Sequence, residues 1–176
     1  MSHGPDQNIR TSDPREHDPR AIVEGHWPGV YRLMYRLTAN PHDAEELTQE
    51  AFLRALQKLD QYQAGTNMRG WLLRIATNMF LDGKRRVRPR TSDMEMDVPA
   101  VAERAGADLE RMELSAQLQE ALLKLPDTQR TVFLLRSTED MAFREISEMI
   151  GTTEATARWH MLQARQQLLK LLEGKI

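Results

Sequence analysis

The chain has 176 residues, enough for one ordinary domain or two small ones, and its 40% hydrophobic and 28% charged residues are the balance of a soluble globular protein. The absence of cysteine excludes disulfides, thiol catalysis and cysteine-ligated zinc. No apolar run approaches the roughly 20 residues of a membrane span and the N-terminus lacks the apolar core of a signal peptide, so a cytoplasmic protein without membrane insertion is expected. The net charge of −2 speaks against a nucleic-acid partner only until its distribution is read. Residues 69–90 hold seven Lys or Arg against one acid, Asp82, and residues 93–110 hold six acids against one base, Arg104.

Residues 1–19 carry Pro5, Pro14 and Pro19 among charged and small polar residues, too little apolar surface to offset ordering entropy, and are expected to be a disordered tail. A first helix is predicted from about Arg20 to Glu24. Past Pro28 a second runs from Gly29 to Thr38, with Val30, Leu33, Met34 and Leu37 as its buried stripe. Asn40-Pro41 reads as a turn. Asp43 to Leu59 is the clearest amphipathic helix of this half: Ala44, Leu47, Thr48, Ala51, Phe52, Ala55, Leu56 and Leu59 share one face. The opposite face carries Glu46, Gln49, Glu50 and Gln57 around Leu53. A lone exposed leucine needs no explanation by itself, yet an apolar residue ringed by carboxylates and amides is also what a docking surface for a basic helix looks like.

A polar loop over residues 60–69 leads into a helix from about Gly70 to Arg86, its buried face Leu72, Ile75, Ala76, Met79 and Phe80. Trp71, Arg74, Asn78 and Arg85 step along a different side. Basic residues at a helix C-terminus complement the dipole in any helix. Five positive charges within residues 84–90 exceed that need, and contact with phosphates accounts for them better. From about Val87 to Asp108, Pro89, Pro99, Gly106 and the acids show no periodicity, as in a flexible linker between two helical domains. A helix from about Leu109 to Lys124 follows.

Pro126 breaks that helix and Asp127 is placed to cap the next, about Thr128 to Ser137, with Val132, Phe133 and Leu135 as buried candidates. After the break at Ser137 to Asp140, a helix over about Ala142 to Ile150 repeats apolar residues at Phe143, Ile146, Met149 and Ile150. Gly151 ends it in the left-handed conformation, and Thr152 or Thr153 caps a last helix, Glu154 to Leu172. Short helix, glycine turn and capped second helix make a helix-turn-helix. On the last helix Ala157, Met161, Ala164, Leu168 and Leu171 face inward, and Thr156, Trp159, Gln163 and Gln166 face away. Trp159 there either meets base edges or packs against another part of the chain.

The run Asp43-Ala44-Glu45-Glu46-Leu47-Thr48-Gln49-Glu50-Ala51-Phe52-Leu53-Arg54-Ala55, then Gly70-Trp71-Leu72-Leu73-Arg74-Ile75-Ala76-Thr77-Asn78 with its Lys-Arg cluster, then Leu125-Pro126 and the terminal helix-turn-helix, resembles the extracytoplasmic-function group of bacterial sigma factors. The resemblance covers about residues 20–173 in order. It implies an all-α fold of two small helical domains joined by a flexible acidic linker: sigma domain 2 at 20–88, linker at 89–109, sigma domain 4 at 110–176. The implied function is an alternative sigma factor that brings RNA polymerase core to promoters and melts them.

By the same resemblance Asp43, Glu46, Gln49, Glu50, Leu53 and Arg54 dock on the clamp helices of the largest polymerase subunit. Tyr62, Asn67, Trp71, Arg74 and Asn78 hold flipped bases of the minus-10 element, with Lys84, Arg85, Arg86 and Arg88 on its phosphates. Thr153, Thr156, Arg158, Trp159, His160 and Gln163 read the minus-35 element. Polymerase core, including its flap region, promoter DNA and an anti-sigma factor are the implied partners. The weak positive field of the C-terminal half, six Lys or Arg over residues 128–170 against five acids, departs from the family and speaks against independent promoter binding by this domain, which tethering to polymerase would supply. An alternative within the same resemblance is a decoy that binds an anti-sigma factor without initiating transcription; such decoys come joined to a receiver domain, for which the chain has no room. No catalytic residue, cofactor or metal site is expected: there is no Gly-rich phosphate loop, no Ser/His/Asp arrangement, and no close pair among the histidines at 3, 17, 26, 42 and 160.

Overall fold

In the computed structural model the described residues are 18–63, 65–86 and 116–173, and they form α-helices and one 3-10 turn, with no strand among them. The expected N-terminal tail and acidic linker lie outside the described residues, as does Arg88. Helix α1 spans Pro19–Thr38. Asp18 caps it by accepting from the Arg20 amide at 3.1 Å, Pro19 starts it where a missing N–H costs nothing, and Ala39 closes it at φ 53°. The two helices expected on either side of Pro28 are one. Proline removes one hydrogen bond from the ladder, but Ile22 before it and Val30, Leu33, Met34 and Leu37 after it are buried on a common core, which holds the helix through the defect.

Helix α2, Pro41–Gln57, begins where a turn was expected. Asn40 accepts from the amides of His42 and Asp43 at 2.9 and 3.1 Å, and Pro41 takes the first helical position. Thr48 is fully buried at no polar cost because its hydroxyl donates to the Ala44 carbonyl at 2.6 Å. Trp27 of α1 meets Phe52 of α2 with ring centroids 5.3 Å apart. After a single 3-10 turn at Leu59–Gln61, α3 spans Met68–Arg86. Asn67 caps it through the Gly70 amide, 3.0 Å. A Cβ at position 70 would stand 2.8 Å from the Asn67 side-chain nitrogen, so any larger residue there would have to displace the cap. Helices α1, α2 and α3 pack on one another.

The C-terminal group is α4, described over residues 116–123, with α5 (Asp127–Ser137), α6 (Phe143–Ile150) and α7 (Glu154–Leu172). Asp127 is not the cap of α5. It occupies the first helical turn, and its carboxylate accepts from the Arg130 guanidinium instead. The expected core of α5 needs a second correction: Phe133 is half-buried and Leu134 fully buried beside Val132 and Leu135. Helix α5 touches α7 and α6 as well as α1 and α3, so more than one of its faces is covered.

The turn from α5 to α6 places Asp140 at φ 52°, a conformation that aspartate tolerates. The Ala142 amide, left free at the start of α6, donates to the Glu145 carboxylate at 2.8 Å. Gly151 stands at φ 69° and Thr153 caps α7 through the Thr156 amide at 3.1 Å, as the sequence pattern requires. Ala157, Met161, Ala164 and Leu168 are buried, with Leu171 packed at their edge.

Candidate functional site

Three surfaces gather the expected site residues. On the first, Asp43, Glu46, Gln49, Glu50, Leu53 and Arg54 of α2 line one open groove of about 640 Å³, closed on its other side by Thr38 of α1 and by Met79, Phe80 and Gly83 of α3. Leu53 is 56% exposed on the α2 wall, which it shares with Leu47 and the polar side chains. Arg54 and Glu50 pair at 2.7 Å one turn apart, which orders the rim without covering Leu53. The groove therefore offers an exposed apolar anchor, Leu53, flanked by carboxylates and amides, and a charge introduced at such an anchor costs much binding energy.

The second surface runs from the loop into α3. Tyr62 is buried, its hydroxyl donates to the Thr66 carbonyl at 2.7 Å, and its ring lies 5.2 Å from that of Trp71. It supports Trp71 rather than presenting a free face. Asn67 is engaged as the α3 cap. Trp71 and Asn78 are half-buried and Arg74 is exposed, one after another along α3. Arg74 and its neighbour Arg69 both reach across to the C-terminal group: Arg74 donates to the Glu148 carbonyl at 3.0 Å, and Arg69 pairs with Glu139. Lys84, Arg85 and Arg86 lie within α3. Sequence reading counted Arg69 among the basic cluster but gave it no role, since only the fold brings Glu139 to it.

The third surface is the outward side of α7. Trp159 is 52% exposed and stands edge-on to His160 at 5.0 Å. Thr153 and Thr156 are joined at 2.8 Å between their hydroxyls at the start of the helix. Arg158 pairs with Glu154 and leans on Phe143, 4.6 Å from its ring centroid. Gln163 is half-buried. Two exposed leucines, Leu162 and Leu169, continue the surface. Their spacing of seven was visible in the sequence but was hidden among the residues taken for the polar side.

His160 and His26 share one electrostatic feature. Burial without compensation lowers the His160 pKa below its ordinary value, and its Nδ1 has no hydrogen-bond partner. His26 is lowered first by burial and then by the Arg69 charge. Both take up a proton less readily in the folded chain than in the unfolded one, where histidine titrates near pH 6.5. Stability therefore falls as pH drops through the unfolded value and on down to the folded one. Urea midpoints at pH 7.5 and 5.8 should show this fall, and the double variant His26→Gln/His160→Gln should flatten it. An unaltered slope in that variant would assign the effect to other groups.

Matches to two family models divide the chain along the same line as the fold: Sigma-70 region 2 over residues 22–90 and Sigma-70, region 4 over residues 115–168. It is 32% identical over 169 residues to the ECF RNA polymerase sigma factor SigW of Bacillus subtilis, covering 86% of this chain and 87% of that one. The chain belongs to the ECF RNA polymerase sigma factors. To a second of these sigma factors, SigE of Mycolicibacterium smegmatis, it is 41% identical over 151 residues, 84% of this chain, and it spans 58% of the length of that relative. The fold is likewise that of a solved sigma factor, RpoE of Bartonella quintana in complex with the anti-sigma factor NepR, with TM-score 0.70 and 21% identity, covering 90% of this chain and 99% of that one. As a sigma factor it is a regulatory subunit and not an enzyme. Among the described residues no cluster of His, Asp and Glu could hold a metal ion, and no helix is long and apolar enough to cross a membrane.

Proposed function

We propose that this chain is an alternative sigma factor that works in the cytoplasm, docks on RNA polymerase core, selects promoters and melts them. The observation that carries the reading is the groove of α2, where all six residues expected to bind core come together around Leu53. Residues 20–88 act as sigma domain 2 and 110–176 as sigma domain 4, with 89–109 as the acidic connection between them. Core contacts are made by Asp43, Glu46, Gln49, Glu50, Leu53 and Arg54 on the clamp helices, and the polymerase flap receives domain 4. Trp71, Arg74 and Asn78 hold the minus-10 strand, with Tyr62 and Asn67 shaping the loop beneath them. Lys84, Arg85, Arg86 and Arg88 contact its phosphates. An unpaired base offers a π face for Trp71 and edges for amide and guanidinium groups, and phosphates add salt-sensitive attraction.

On domain 4, Thr153, Thr156, Arg158, Trp159, His160 and Gln163 form the minus-35 face. Trp159→Ala removes an exposed ring and is expected to leave stability unchanged while flattening the preference among promoters varied at minus-35, a loss of roughly tenfold for one good base contact. Equal transcription from all such promoters before and after the substitution would remove Trp159 from the reading surface. Run-off transcription with purified core and a promoter library tests the function as a whole. An anti-sigma factor is the expected regulator, since the solved relative RpoE is held by one.

A further inference from the structure

Among the described residues four large hydrophobic side chains stand exposed, and three of them, Trp159, Leu162 and Leu169, are on α7. Leu162 is as exposed as Trp159 and follows it by three positions, so the two side chains rise from the same side of the helix, about 4.5 Å apart along its axis. That is close to one base step of duplex DNA, about 3.4 Å. Leu169 stands about 10 Å further along, beyond the N-terminal part of a recognition helix that meets base edges. The polar groups around the pair are already engaged. Arg158 is ion-paired with Glu154 and leans on Phe143, and the Thr153 and Thr156 hydroxyls hold each other at 2.8 Å. The face therefore turns an apolar pair outward, and beside it stand the uncharged amides of Gln163, half-buried, and Gln166, exposed.

We infer that α7 reads the C5 methyl groups of thymine, with Leu162 as a specificity-determining residue beside Trp159, so that the minus-35 element this chain prefers carries neighbouring A·T pairs. This rests on the assignment of α7 to the minus-35 element. Each base pair shows the major groove its own pattern of donors, acceptors and methyl, and in unmodified DNA only thymine offers an apolar group there. Leucine has no donor or acceptor. Against a guanine or cytosine edge it would strip water from polar atoms and return no hydrogen bond. Against a methyl it buries apolar surface on both partners. Guanine is most often taken by a bidentate arginine, and Arg158, next to Trp159 in the chain, is held by a carboxylate that a guanine edge would have to displace. Glutamine fits adenine through two hydrogen bonds, so the amides near Leu162 favour the same A·T pair.

Holoenzyme assembled from the full chain and purified core is first used to enrich duplexes from a promoter library randomised over minus-35, and adjacent thymines on one strand are expected there. The enriched duplex is then rebuilt with deoxyuridine for thymidine across minus-35, which removes the methyl groups and leaves every donor and acceptor in place. Fluorescence anisotropy should show the parent holoenzyme binding it roughly fourfold more weakly for each methyl contacted. Leu162→Ala should lose that factor at one position while the unfolding temperature of the free chain stays that of the parent, since the side chain is exposed. Leu162→Met, which keeps an apolar side chain of similar reach, should recover discrimination. Equal binding of the two duplexes by the parent would overturn the inference, and so would a methyl preference that Leu162→Ala leaves intact. A minus-35 preference without methyl dependence would sink methyl reading and leave α7 assigned to that element. No preference at minus-35 from a holoenzyme that still transcribes would remove both.

Discussion

Leu53→Asp is expected to abolish co-purification with RNA polymerase core, a weakening of at least about 100-fold, while the thermal unfolding of the free chain stays within about 1 °C of the parent. The asymmetry follows from where Leu53 stands. At 56% exposure it contributes little to the core of its own domain, so a carboxylate there remains solvated when the chain is free. On docking the same carboxylate would be buried in a groove that already carries Asp43, Glu46 and Glu50, and whose Arg54 is engaged by Glu50. Central, desolvated anchors of this kind carry 2 kcal/mol or more each, and a buried unpaired charge adds its own desolvation cost. Unchanged recovery on immobilised core would exclude the α2 groove as the docking face.

Ile146→Ala should have the largest effect on stability among changes that leave the surface untouched. Ile146 is fully buried in α6, a helix of only eight residues that cannot hold itself together by backbone bonds alone. Removing its side chain leaves a cavity in the core, at a cost of about 2–5 kcal/mol. In a domain of this size that is a fall of roughly 10 °C or more in Tm. Calorimetry that finds the Ile146→Ala transition within a few degrees of the parent would mean that the site relaxes around the deletion.

The helix-turn-helix was legible because its punctuation is local. Gly151 supplies a positive φ, Thr153 supplies a cap oxygen, and the Ala157, Met161, Ala164, Leu168 spacing selects one face regardless of what lies opposite. The polar side of α2 was legible for a similar reason: Glu46, Gln49, Glu50 and Leu53 share a face by periodicity, while Asp43 and Arg54 were added by the resemblance. Pro28 misled because the local penalty of proline is real, and only the surrounding core outweighs it. Asp127 and Phe133 misled because α5 is enclosed on several sides, which no single helical period encodes. Tyr62 and Asn67 are part of the expected minus-10 surface, but a loop without periodicity gives no sign of which side chains are consumed in building it.

By itself, the order of residues determined most of the helices, the Gly151 turn with its Thr153 cap, and which side of α2 and of α7 faces inward, since each depends on spacings shorter than a few turns. Tertiary structure alone decided that Arg69 finds Glu139, that Arg74 finds the carbonyl of Glu148 and that Arg130 lies over Phe80. These partners stand 50 to 74 positions apart in the chain, and a charge read in sequence says what it can attract but not which opposite charge folding will bring within reach.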